Sequence, residues 1–118
     1  MKNIVITGTS RGIGFELAKQ FAEKGHQVLA LSRNTIPLKE YNHKNITVIS
    51  IDLSDNSEMY KVSDFIKSNW KKVDILINNA GKLINKPFPQ LSSEDFLEVY
   101  KVNVFAVAEI TKRIIRTT

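Results

Sequence analysis

Cysteine is absent from these 118 residues. Disulfides and cysteine-ligated metals are thereby excluded, and a reducing compartment such as the cytoplasm is expected. No apolar run approaches the roughly 18 residues that a membrane-spanning helix needs. The short apolar run after Lys2 is broken by Gly8 and Arg11, so the N-terminus does not read as a secretory leader. A concentrated charge of one sign is also missing. The formal net charge is +5, yet no basic run exceeds two residues, as in the pair Lys71-Lys72. Nucleic-acid binding calls for a basic cluster on one face, so neither a nucleic-acid nor a membrane partner is expected. A mild positive field suits a phosphorylated small ligand instead. His26 and His43 lie apart with no ligand-spaced carboxylates, so no metal site is expected. Repeats and low-complexity segments are absent as well.

What is present reads as one ordinary globular domain over residues 1–118, with 42% hydrophobic and 25% charged residues. Strand-like runs alternate with helical periodicity. Strands are expected at Asn3–Thr7, Gln27–Leu31, Ile46–Ser50 and Asp74–Asn78. The first helix carries Ile13, Leu17, Ala18, Phe21 and Ala22 on one face, and Gly25 is placed to end it. A second long helix carries Met59, Val62, Phe65 and Ile66. A loop with Pro87 and Pro89 precedes the last helix. That helix begins with the capping-box pair Ser92 and Asp95 and carries Phe96, Tyr100, Val104, Val107 and Ile114. The gap between the second and third strands has room for only a turn or a short helix. The strands are unbroken apolar runs rather than alternating ones. Such strands are covered on both faces, as in a doubly wound parallel α/β sheet of Rossmann type.

The turn after the first strand has the spacing Gly8-x-x-x-Gly12-x-Gly14. No Gly-Lys-Ser/Thr follows, so it is not the ATPase phosphate loop, and it does not match G-x-G-x-x-G. Strand, glycine-rich turn and helix nevertheless place backbone N–H groups where a phosphate can sit. The competing reading is a turn that merely needs positive φ. A dinucleotide domain that prefers NAD carries an acid at the end of the second strand to bind the ribose 2′-hydroxyl. Here that position reads Ser32-Arg33-Asn34, without an acid. Arg33 can instead bind a 2′-phosphate through charge-assisted hydrogen bonds, and Arg11 could be a second clamp. The competing reading makes both arginines solvated surface residues. The first reading predicts NADP(H) in preference to NAD(H).

The stretches TGTSRGIG (Thr7 to Gly14), IDLSD (Ile51 to Asp55), NNAG (Asn78 to Gly81) and VNV (Val102 to Val104) follow one another in the order and approximate spacing of the short-chain dehydrogenase/reductase family, which the chain resembles over nearly its whole length. The resemblance implies that Gly8, Gly12, Ile13 and Gly14 surround the cofactor phosphates. It implies that Asp52 bonds the adenine amino group with Leu53 beside the ring, and that Asn79, Ala80 and Gly81 line the adenosine side. The candidate segments Gly8–Gly14, Ser32–Asn34, Asp52–Leu53 and Asn79–Gly81 all fall at carboxyl ends of expected strands, where open α/β sheets bind ligands. Ser10, Ser32 and Asn34 join the cofactor candidates on that ground. Asp52 has a competing reading as an ordinary loop carboxylate. Asn103 is expected on the apolar face of the last helix, where a buried amide needs partners. The resemblance gives it a catalytic role, helping to hold a proton-relay water. Where the family often has glycine three residues later, this chain has Ala106.

The family's reaction requires a tyrosine, a lysine four residues on, and a serine. Tyr41, Tyr60 and Tyr100 are followed four places later by Asn45, Asp64 and Val104. The resemblance therefore implies the cofactor-binding half of an oxidoreductase acting on a carbonyl or secondary alcohol, ending before the catalytic half. A non-catalytic NADP(H)-binding sensor or interaction module is the alternative. Four parallel strands in the order 3-2-1-4 are expected. The edge of the fourth strand and the exposed face of the last helix would then favour self-association into a homo-oligomer.

Overall fold

Ile4, Val5 and Ile6 are completely buried, and they form the middle of β1 (Asn3–Thr7), the strand around which the chain is organised. The computed structural model describes residues 1–81 and 88–117. In it β1 pairs in parallel with β2 (Gln27–Ser32) on one side and with β4 (Ile75–Ile77) on the other. β3 (Ile46–Ser50) pairs in parallel with the far side of β2. The order is β3-β2-β1-β4, as the sequence predicts.

Period-two alternation sends neighbouring strand residues to opposite faces. Ile4, Ile6, Val28 and Ala30 pack on Ala18 and Ala22 of α1 (Gly12–Glu23) and on Leu38 of α2 (Ile36–Tyr41). Val5, Leu29 and Leu31 pack on Met59, Val62 and Ile66, and on Ala106, Ile110 and Ile114. Those residues lie on or beside α3 (Tyr60–Asn69) and on the last helix. Burying each large aliphatic side chain contributes about 1.5–3 kcal/mol. The two helical layers explain why both faces of the central strands are apolar.

Helix ends follow local chemistry. Gly25 has φ +92°, and the Gly25 and His26 N–H groups donate back to the Ala22 and Phe21 carbonyls, closing α1. Trp70 lies just beyond α3, with its ring edge-on to Phe65 at 5.2 Å. β4 is shorter than the expected Asp74–Asn78 by one residue at each end, and Asp74 bonds the start of β1 just before it. The Asn3 N–H donates to Asp74 Oδ2 at 2.7 Å, and the Asp74 N–H donates to the Asn3 carbonyl at 2.9 Å. Lys72 adds an ion pair at 3.3 Å. The Asn3 N–H above all, then Lys72, holds the Asp74 carboxyl below the ordinary carboxylate range.

Pro89 lies in a single 3₁₀ turn (Phe88–Gln90), whereas Pro87 falls outside the described residues. The capping box forms as expected: Ser92 accepts from the Asp95 N–H, and Asp95 accepts from the Ser92 N–H. The single last helix expected from the sequence is corrected, however. It is α4 (Ser93–Tyr100) and α5 (Ala106–Thr117), joined by a π turn at Lys101–Phe105. One inserted residue turns everything after it by about 100°. The buried stripe after the turn is Ala106, Ile110 and Ile114, whereas Phe96, Tyr100 and Val104 are exposed. Among the described residues no helix is long and apolar enough to cross a membrane.

Candidate functional site

The carboxyl ends of β1, β2 and β4, together with the segment just after β3, surround one cavity of about 730 Å³. The turn from β1 into α1 forms its floor, and each glycine there has a separate reason. Gly8 has φ +68°, and a Cβ on it would lie 2.8 Å from Ala80 Cα. Gly14 packs α1 onto the strand end, where a Cβ would lie 2.2 Å from the Gly8 carbonyl oxygen. Gly12 has φ +64° with nothing within 4 Å of the Cβ position. Positive φ therefore explains Gly8 and Gly12, close packing explains Gly8 and Gly14, and only Gly12 opens onto free space. Arg11 precedes α1 in an extended conformation and makes no side-chain cap, so no side chain at that position covers the first N–H groups of the helix.

Buried hydroxyls fix this turn to both neighbouring strands. Thr7 Oγ1 accepts from the Asn79 N–H at 3.0 Å and the Ala80 N–H at 2.9 Å. Asn79 Nδ2 donates to the Gly8 carbonyl at 3.0 Å. Toward β2, the Gly8 N–H donates to the Leu31 carbonyl, and Thr9 Oγ1 donates to the same oxygen at 3.3 Å. The NNAG stretch thus acts through Asn79 and Ala80 on the glycine turn itself. Neither Thr7 nor Thr9 stands out in sequence, because a single hydroxyl at a strand end carries no periodic signal.

Beyond β2, Ser32 donates to the Asn34 carbonyl at 2.9 Å, and Asn34 Oδ1 accepts from the Ile36 N–H at 3.2 Å. Their polar groups serve the loop. Arg33 is exposed at the cavity rim, as is Arg11. No hydrogen bond or ion pair engages either guanidinium among the described residues. After β3, Asp52 Oδ1 accepts from both the N–H and the hydroxyl of Ser54, at 3.0 and 2.7 Å. Asp52 therefore has the loop role of its competing reading while also lining the cavity.

Gly8, Ser10, Arg11, Gly12, Ser32, Arg33, Asn34, Asp52, Leu53, Asn79, Ala80 and Gly81 all line this cavity, as do Ile51, Ser54, Glu98 and Val102. Three candidates do not: Gly14, Ile13 and Asn103. Gly14 is spent on helix–strand packing. Ile13, expected on the buried face of α1, is 72% exposed and borders a shallow depression with Phe15 and Leu17. The buried face of α1 is taken instead by Gly14, Ala18 and Ala22. Asn103 is also corrected: it is exposed rather than buried. It sits in the π turn, and its Oδ1 lies 3.5 Å from the position of a Cβ on Gly81. The same turn brings Val102 to the cavity wall, while Glu98 reaches it from α4. Glu98 carries no sequence signal, whereas Val102 belongs to the VNV stretch.

The site combines main-chain N–H groups at a helix start, two arginines and an elongated cleft. That set suits an extended anionic ligand. Among the described residues no group of three or more His, Cys, Asp or Glu side chains could hold a metal ion.

The sequence matches the family profile described as short chain dehydrogenase over residues 2–118. It is 35% identical over 112 residues to the NADPH-dependent 1-acyldihydroxyacetone phosphate reductase of Saccharomyces cerevisiae, covering 88% of this chain and 37% of that protein. The structure superposes on 4-hydroxyisoleucine dehydrogenase complexed with NADH with a TM-score of 0.89 and 31% identity, covering 98% of this chain and 49% of that one. It superposes on L-sorbose reductase from Gluconobacter frateurii complexed with NADPH and L-sorbose with a TM-score of 0.85 and 25% identity, covering 98% and 47%. The chain spans between 27% and 49% of the length of the most similar curated relatives.

Proposed function

The chain belongs to the short-chain dehydrogenase family, and from that premise we propose that its protein is an NADP(H)-dependent oxidoreductase interconverting a carbonyl and a secondary alcohol. One observation carries the proposal: segments from four strand ends meet at a single cavity whose rim holds Arg11 and Arg33. The geometry of the glycine turn fits a dinucleotide, because Gly12 leaves open space where main-chain N–H groups point outward. The amides of the turn beyond Gly8, up to Gly12, take the diphosphate, the Gly8 N–H being held by the Leu31 carbonyl. Arg33, helped by Arg11 and Ser10, takes the 2′-phosphate. Asp52 and Leu53 receive the adenine, and Asn79, Ala80 and Gly81 border its ribose. Gly14 acts indirectly by bringing α1 close. Ile13 contributes through its backbone, since its side chain points away from the cavity. The nicotinamide, when bound, supplies or accepts the hydride, while the protein supplies orientation and electrostatics.

In this reading Asn103 is the catalytic-group member within these residues, holding a relay water for an acid–base tyrosine and lysine that lie outside them. A homo-oligomer in a reducing compartment, cytoplasmic by preference, completes the proposal. Exposed Phe96, Tyr100 and Phe105 support the self-association.

Fluorescence titration with NADPH and NADH tests the cofactor reading. One charge-assisted phosphate contact makes NADPH bind about tenfold more tightly or better. Equal affinities would refute the preference. The second reading, a non-catalytic NADP(H)-binding module, draws on the absence of a Tyr-x-x-x-Lys pattern in these residues. Ketone reduction by the protein would exclude it.

A further inference from the structure

Three successive main-chain carbonyls around Arg33 are each held by a hydrogen bond. The Ile51 N–H donates to the Ser32 carbonyl at 3.0 Å. Ser50 Oγ donates to the Arg33 carbonyl at 3.4 Å. Ser32 Oγ donates to the Asn34 carbonyl at 2.9 Å. Peptide units are planar, so fixing the planes on either side of a residue fixes its φ and ψ, and with them the direction of its Cα–Cβ bond. Two of the three donors, Ser50 and Ile51, come from the end of β3 rather than from the loop itself. Ser50 is held in turn: its carbonyl accepts from the Lys61 ammonium at 3.2 Å, and Lys61 pairs with Glu58 at 2.8 Å. The bond from Ser50 bears on the peptide plane immediately after Arg33, and among the described residues no other hydrogen bond reaches that carbonyl.

We infer that Ser50 is a positioning residue for Arg33, its hydroxyl fixing the direction in which the side chain that selects the phosphorylated dinucleotide leaves the backbone. The inference rests on the reading of Arg33 as the 2′-phosphate contact. Ser50 is exposed, so its removal leaves no buried group unsatisfied, and the fold should not register the loss. The effect belongs to ligand selectivity. A threonine at this edge position keeps the hydroxyl and suits the strand.

The test titrates NADPH and NADH into the protein and its variants Ser50→Ala, Ser50→Thr, Arg33→Ala and the double variant Ser50→Ala/Arg33→Ala. Losing the orienting hydrogen bond should weaken NADPH about fivefold in Ser50→Ala, with NADH affinity and melting temperature unchanged. Ser50→Thr should restore NADPH binding. In the Arg33→Ala background, Ser50→Ala should cost nothing further, because a residue that acts through another couples fully to it. Three results overturn the inference: an equal loss for both dinucleotides, a loss that persists without Arg33, or no loss in Ser50→Ala while Arg33→Ala removes the preference. If Arg33→Ala leaves the preference intact, the Arg33 reading itself fails and the inference falls with it. That outcome is distinct from one in which Arg33 acts and Ser50 does not.

Discussion

The side-chain amide of Asn79 donates to the main-chain carbonyl of Gly8 at 3.0 Å, across 71 residues of sequence. The same amide nitrogen lies 2.6 Å from where a Cβ on Gly14 would sit. Asn79 therefore occupies the corner between β1, α1 and the loop after β4, and it sets how closely these three approach.

Replacing Asn79 by Ala should remove that bond and destabilise the protein by about 1 kcal/mol. Thr7→Val should cost more, about 2 kcal/mol, because two main-chain N–H groups lose one shared acceptor. Chemical denaturation of both variants checks the order. Equal stabilities to the parent would contradict the role given to this corner.

The glycines separate by mechanism. Gly14→Ala puts a methyl group 2.2 Å from a backbone oxygen, which cannot swing aside. A loss of about 3 kcal/mol or failure to fold is expected. Gly12→Ala meets no atom within 4 Å, so its cost is the left-handed backbone alone, about 1–2 kcal/mol. The Gly12→Ala protein should fold yet bind NADPH poorly. Circular dichroism melts and a cofactor titration together test the contrast.

Asp74 gives a pH dependence. Its folded-state pKa is shifted down, so the stability it adds is present above its unfolded value of about 4 and is lost as the pH falls through the lower folded value. Denaturant midpoints measured from pH 6 downward should drop less steeply in Asp74→Asn than in the parent. Parallel curves would contradict the bond from Asn3 as the cause.

Exposed arginines attract a phosphate across solvent, where salt screens the attraction. NADPH affinity should therefore fall with added salt more steeply than NADH affinity. Arg33→Ala should bring the two slopes together, and titrations at several salt concentrations measure both.

The strands, the start of α4 and the end of α1 were legible because they rest on local rules, whereas the sheet order followed from the family resemblance. Apolar runs marked β1 to β4, the Ser92–Asp95 pair marked the start of α4, and Gly25 marked the end of α1. The glycine turn was legible too, though sequence could not assign Gly8, Gly12 and Gly14 to separate physical needs. The π turn was not legible. A one-residue insertion preserves an apolar pattern on either side while rotating one half against the other, so Phe96 and Ile114 read as one stripe. Asn103 was misplaced for the same reason. Ile13 carried the helical period, but the buried face of α1 is taken by Gly14, Ala18 and Ala22. Thr7 and Ser50 were overlooked because their work is done through single hydroxyls on main-chain atoms of other strands.

The most direct test is a crystal structure of the protein grown with NADPH. The account predicts the diphosphate against the Gly8–Gly12 turn, the adenine beside Asp52 and Leu53, and the 2′-phosphate within ion-pair distance of Arg33. Dinucleotide bound elsewhere, or bound here with its 2′-phosphate turned away from both Arg33 and Arg11, would contradict it.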